Sequence, residues 1–257
     1  MNKTSKNAGV ANKRKSPEGP LKRRAFLQYS GAGLAASALV FAGCEEAVQD
    51  PSNLNGTNGG KNGNDAARTG NDDTVYLGSG DTGILNYAYA LEQLEAAFYS
   101  MVVAETSFSS MFSEEEQMIL RDLEKHEISH REFFKTALGD NAIRALTPDF
   151  SAVDFSNKDS VLATAKTFED LGVAAYNGAG KLLVDVNLLL VAGKIVSVEA
   201  RHAAAIRDVI NPWSMDFAGD DVVDENGLDL AMMPPEVLTA AQPFIKDKID
   251  GSELPTS

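Results

Sequence analysis

The sequence predicts an all-α protein. The expected architecture is a four-helix bundle, with a long connection between the second and third helices and a C-terminal segment wrapped back over it. Three observations carry this. Four stretches of 23 to 25 residues repeat apolar side chains at three- and four-residue spacing. Helix start and stop residues bracket them. The four stretches also align as two copies of one helix pair. The 257 residues suit one domain of ordinary size with something extra. An apolar content of 44% and a charged content of 23% are ordinary for a globular chain. A single cysteine excludes an intramolecular disulfide framework and a cysteine-rich zinc module.

The chain begins with a basic head. Residues 1–43 carry eight Lys or Arg and one acid, a charge of +7, against −21 for the remainder. A domain that acidic has no charge with which to hold a phosphate backbone, so no nucleic-acid partner is expected. Within the head, Arg23-Arg24 and Phe26-Leu27 precede a Gly/Ala-rich apolar stretch at 31–43, too short to span a bilayer. This pattern resembles a twin-arginine (Tat) export signal; the competing reading is a general-secretion signal with two adjacent arginines. Phe41-Ala42-Gly43-Cys44 resembles a lipoprotein cleavage site, with Phe41 where Leu is usual. The competing reading is a nearby cut that leaves a stray thiol. Residues 44–74, rich in Asn, Gly and Asp, read as a flexible tether. The expectation is a Tat-exported protein of the periplasm or cell envelope, held to a membrane by a lipid on Cys44.

The helices are expected at 82–105, 114–138, 159–181 and 186–210, so the bundle occupies 75–212. Ser113 followed by three glutamates is a cap with acids at the positive end of the helix dipole. Gly139 stops the second helix, and Asn211-Pro212 stops the fourth. Residues 139–158, with Pro148, form the long connection. Residues 213–257 hold Trp213, Phe217, Leu238, Phe244 and Ile245, which should pack on the bundle, with a short helix near 235–246.

The repeat emerges when the apolar seams are written out. The first helix gives Leu85, Ala88, Glu92, Glu95, Tyr99, Val102. The third gives Leu162, Ala165, Glu169, Gly172, Tyr176, Ala179, at a constant offset of 77. The second helix gives Leu120, Leu123, Glu127, His130, Phe134, Ala137. The fourth gives Ala192, Ile195, Glu199, His202, Ile206, Val209, at an offset of 72. Each half therefore carries a Glu and a Glu-x-x-His on faces that should point inward. Burying such groups is costly unless they are paired or bind metal. Glu and His three residues apart share a helix face, so both can reach one site. With 17 Glu and three His in the chain, two or more such pairs arise by chance about 1% of the time.

A Glu from each of two helices and Glu-x-x-His from each of the other two resembles the dinuclear site of the ferritin-like superfamily. More narrowly, three segments resemble the secreted ferritin-like family that includes desiccation-related proteins. They are Leu91-Glu92-Gln93-Leu94-Glu95-Ala96-Ala97-Phe98-Tyr99, Glu169-Asp170-Leu171-Gly172-Val173-Ala174-Ala175-Tyr176 and Val198-Glu199-Ala200-Arg201-His202-Ala203-Ala204. The resemblance spans about 75–250 and implies a ferritin-like bundle with one long crossover. It implies two divalent ions, Fe or Mn, held by Glu92, Glu127, His130, Glu169, Glu199 and His202. Glu127 and Glu199 would bridge the ions; Glu92 and Glu169 would be terminal ligands. Tyr99 and Tyr176, seven residues after those glutamates, read either as hydrogen-bond partners of the site or as core packing. Glu95 competes with Glu92, and the repeat decides: Glu92 matches Glu169, whereas Glu95 matches Gly172.

The chemistry that this implies is redox work on peroxide or O₂, with Fe(II) oxidation as one version and manganese-catalase-like disproportionation as a close alternative. A different class of function is a non-catalytic, stress-protective bundle in which metal only holds the helices. A remote rival is His126-Glu127-Ile128-Ser129-His130, the H-E-x-x-H signature of zinc proteases. It needs His126 as a ligand, lacks the metzincin extension (Phe133 and Thr136 stand at its Gly and His), and leaves Glu199-x-x-His202 unused. On the bundle reading, His126 is a residue at the rim of the site, paired with a carboxylate. Homo-oligomerisation stays open.

Overall fold

The computed structural model describes residues 74–256. The expected export signal, the tether up to residue 73 and Cys44 lie outside the described residues. Helix α1 spans Gly80–Ala104, a one-turn α2 Phe108–Met111, α3 Glu114–Leu138, α4 Lys158–Gly180, α5 Val186–Ile210 and α6 Pro234–Ala241. Two short strands, β1 at Val75–Tyr76 and β2 at Ile249–Asp250, pair in parallel and join the two ends of the described chain.

The long helices begin where a side chain can accept from their free N–H groups. Ser113 Oγ accepts from Glu116 N at 3.3 Å, while Glu116 Oε2 accepts from Ser113 N at 2.9 Å, a reciprocal box at the start of α3. Asn157 caps α4 through Ser160 N, and Asp185 caps α5 through Asn187 N. Ser79 gives α1 no side-chain cap. Instead Asp81 in its first turn accepts from Val184 N and Asp185 N, both at 2.8 Å. That contact ties the start of α1 to the start of α5. At the opposite end Lys158 Nζ meets Glu116 at 2.7 Å, so α3 and α4 also start together. The crossover at 142–157 carries the chain back along the bundle to make this possible.

Helix α1 pairs mainly with α3, and α4 with α5. Helix α1 is the most enclosed: every residue from Asn86 to Ala96 is buried. Helix α3 buries only Leu120, Leu123, Glu127, Phe134 and Leu138, a narrow stripe. The difference arises because the crossover and the C-terminal residues lie over the outer side of α1. Asn86 Oδ1 accepts from Ile143 N at 3.0 Å, and Gln93 Oε1 accepts from Leu146 N at 2.8 Å. Phe150 and Phe155 of the crossover pack their rings on Phe98 of α1 at 5.9 and 5.8 Å, and Phe244 packs on Phe168 of α4 at 4.8 Å.

The C-terminal segment differs in part from expectation. Ile245 is buried, but Trp213 is 99% exposed and Phe217 is 55% exposed. After Pro212 the chain turns at Trp213 with φ 64° and is anchored by polar groups rather than by those rings. Arg207 holds Asp221 and the carbonyl of Asp216, and Met232 N donates to Ala174 O at 2.9 Å. Among the described residues, no helix is long and apolar enough to cross a membrane.

Candidate metal centre

Each of the four long helices delivers acidic or imidazole side chains to one level of the bundle. Helix α1 brings Glu92, α3 Glu127 and His130, α4 Glu169, and α5 Glu199 and His202. All four glutamates are fully buried at 0% exposure. The structure thus collects the six residues named from the sequence, and it sorts them into two groups. Glu92, Glu127, His130 and Glu199 form one; Glu127, Glu169, Glu199 and His202 form the other. Glu127 and Glu199 belong to both.

The sorting holds atom by atom. His130 Nδ1 lies 2.9 Å from Glu199 Oε1 and 3.4 Å from both Glu92 Oε2 and Glu127 Oε2. His202 Nδ1 lies 2.8 Å from Glu127 Oε1 and 3.5 Å from both Glu169 Oε2 and Glu199 Oε2. The two shared carboxylates therefore send one oxygen to each group. Each terminal glutamate sends one oxygen inward and gives the other to a tyrosine from the opposite half. Tyr99 Oη donates to Glu169 Oε1 at 2.5 Å, and Tyr176 Oη donates to Glu92 Oε1. The tyrosines are crossed: each serves the glutamate of the other half, not the one seven residues before it.

Buried polar atoms almost always find hydrogen-bond partners. Here the eight inward atoms, four per group, have none of acceptable geometry, although nitrogen and oxygen approach within 2.8–3.5 Å. Donors that crowd together without aligning on one another are arranged around shared points. Two cations, each with three carboxylate oxygens and one imidazole nitrogen, fit that arrangement and would satisfy all eight atoms. The oxygen-rich donor set suits hard or borderline divalent ions.

The electrostatics tell the same story. Burial pushes Glu92 well above the carboxylate range and Glu169 up to about 8. Burial also works against the charged form of Glu127, but His130 and His202 beside it hold it down at about 2. Burial opposes charge on the two histidines, yet the surrounding glutamates raise both to about 12. Without cations, protons must do the neutralising, so protons and metal ions compete for the same atoms.

Two neighbours stand outside both groups. Glu95 is buried, and burial followed by the charges of Glu127 and Glu199 raises it well above its ordinary value. It fills the space left by Gly172, where a Cβ would lie 3.1 Å from Glu95 Oε1. His126 does not pair with a carboxylate as expected. Its Nδ1 lies 2.9 Å from His202 Nε2. Burial and then His202 lower its pKa below the usual imidazole value. The zinc-protease reading is corrected by the same geometry, since His126 and His130 address different partners rather than one ion. No sequence signal marks the His126–His202 contact, which joins residues 76 positions apart across two helices.

A four-helix bundle with two Glu-x-x-His helices, two further glutamates and a long crossover defines a carboxylate-bridged class of helical metal-site proteins. The ferritin-like domain family matches residues 80–212, more than half of the chain, and the chain belongs to that family. None of the curated proteins matches it.

Proposed function

We propose that the chain is a dinuclear iron or manganese protein that carries out redox chemistry on peroxide or O₂, with Fe(II) oxidation as one version, in stress protection. The observation that carries this is the set of eight buried donor atoms without hydrogen bonds, divided four and four, with Glu127 and Glu199 common to both. Two adjacent ions would supply a pair of one-electron centres for a two-electron conversion of a small oxygen species.

The chain's own residues define what can react. Tyr99 and Tyr176 fix the outward oxygens of Glu169 and Glu92, leaving one oxygen of each for a cation. Burial of all four glutamates keeps bulk water out. Of the site side chains His130 is the most exposed, at 13%, so its edge is the way in. An apolar gap of about 20 Å³ is lined by Leu91, Phe134 and Tyr176 among others, and Tyr176 links it to the centre through its hydrogen bond to Glu92. A gap of that volume has room for about one water-sized molecule.

Export belongs to the same reading. The Arg23-Arg24 pattern and Cys44 support a Tat-exported envelope lipoprotein. The Tat route carries folded proteins, so the site would be loaded in the cytoplasm, away from tighter-binding copper and zinc. The test is anaerobic loading with Fe(II) or Mn(II), followed by addition of peroxide or O₂. Two ions per chain, with turnover lost in Glu127→Ala, are expected. Two ions with no reaction toward either oxidant would leave a structural metal site and overturn the redox assignment.

A further inference from the structure

The two halves of the centre match in their ligands but not in what stands behind them. On one side His202 is buried, 4% exposed, with Nδ1 among the oxygens of Glu127, Glu169 and Glu199. Its other nitrogen, Nε2, lies 2.9 Å from His126 Nδ1. The two ring planes differ by 8° and the ring centres are 5.1 Å apart. With two nitrogens in contact at that separation, the rings are joined edge to edge in one plane rather than stacked face to face. On the other side, no described residue bonds His130 Nε2, and the ring edge reaches the surface. At the repeat offset of 72, the position matching His126 is Val198, which cannot accept a hydrogen bond.

We propose that His126 is a positioning residue that makes the two ion sites unequal, so that the His202 group holds its ion more tightly than the His130 group. This rests on the dinuclear reading. A nitrogen that ligates a cation carries no proton, so His202 bound through Nδ1 keeps its ring proton on Nε2. His126 Nδ1 accepts that proton's hydrogen bond, with its own ring proton on Nε2. The contact fixes the ring angle before the ion arrives, and by holding the proton on Nε2 it leaves Nδ1 as the nitrogen that gives up its proton to the ion. His130 must find both for itself.

The test is anaerobic titration of the metal-free full chain with Mn(II), read from the paramagnetic resonance signal of free Mn(II). The wild type is expected to take up two ions in two steps, separated by about 10- to 100-fold in affinity. His126→Val, which installs the side chain of the repeat mate, weakens the tight step by the same factor and merges the two. His126→Asn, whose Oδ1 stands near the place of Nδ1, restores the separation; a loss of mere packing would not be rescued this way. Two backgrounds locate the effect. In His130→Ala, where the His202 group remains, adding His126→Val weakens the remaining ion; in His202→Ala it changes nothing. Equal steps in the wild type, or no effect of His126→Val on either, overturn the inference and leave the dinuclear reading standing. No uptake of Mn(II) or Fe(II) by the wild type removes both.

Discussion

Glu92 and Glu95 lie one turn apart on the same buried face of α1, yet only Glu92 joins the cluster. The residue opposite decides it. Glu169 meets the first level, while Gly172 leaves room at the second for Glu95 to sit with its oxygen where a side chain would otherwise be. Burial, with the neighbouring glutamates, raises the Glu95 carboxyl well above its ordinary value and so favours its uncharged form. Metal analysis of variants should rank accordingly: Glu127→Ala and Glu199→Ala lose both ions, Glu92→Ala loses one, and Glu95→Ala retains two. A larger loss from Glu95→Ala than from Glu92→Ala would reverse the ligand assignment. The pH dependence follows from the protons that the ions displace. Metal-free Glu169 titrates at about 8 and both histidines at about 12, all above their ordinary values, so each carries a proton at neutral pH. Affinity should therefore rise with pH, by about tenfold or more per unit below pH 8. A competition titration against a chelator of known affinity reads this, and a flat profile would contradict it. The six site residues were legible in the sequence because each interrupts an apolar stripe and recurs at a fixed offset. The crossed tyrosines and the His126 contact were not, because helix packing, not spacing, chooses their partners.

At the scale of elements, the four long helices were legible from period and caps, since 23 to 25 residues give the pattern many chances to show. The strands β1 and β2, two residues each, and the one-turn α2 are too short to carry any pattern. The strands exist because the two ends of the described residues pair with each other, and α2 lies in the short link between α1 and α3. The wrapping segment depends on one close approach. Gly178 of α4 lies directly under Met232, and a Cβ there would fall 1.8 Å from the Met232 carbonyl oxygen. That oxygen belongs to backbone that also hydrogen-bonds α4 through Met232 N and Ala174 O. Gly178→Ala should lift residues 229–233 from the helix, cost about 1–3 kcal/mol and lower the melting temperature. Amide hydrogen exchange would show faster exchange at Met232; unchanged protection there would refute the role given to this glycine.

For the whole molecule, charge divides the chain into a basic head and a strongly acidic remainder. That division is meaningful if the head is removed on export and the rest stays tethered through Cys44. Cys44→Ser should move the mature protein from the membrane fraction to the soluble fraction; an unchanged membrane fraction would argue against a lipid anchor. The bundle itself is organised around its centre. Four helices converge on six ionisable side chains that would be costly to bury for structure alone, since an apolar seam of the same size packs without desolvating any charge. The most direct measurement is elemental analysis of the protein purified from its native host, expressed as metal per chain. Two Fe or Mn per chain is the predicted result. No metal, with no uptake of Fe(II) or Mn(II) when oxygen is excluded, would contradict the assignment and leave the bundle as a binding or protective scaffold.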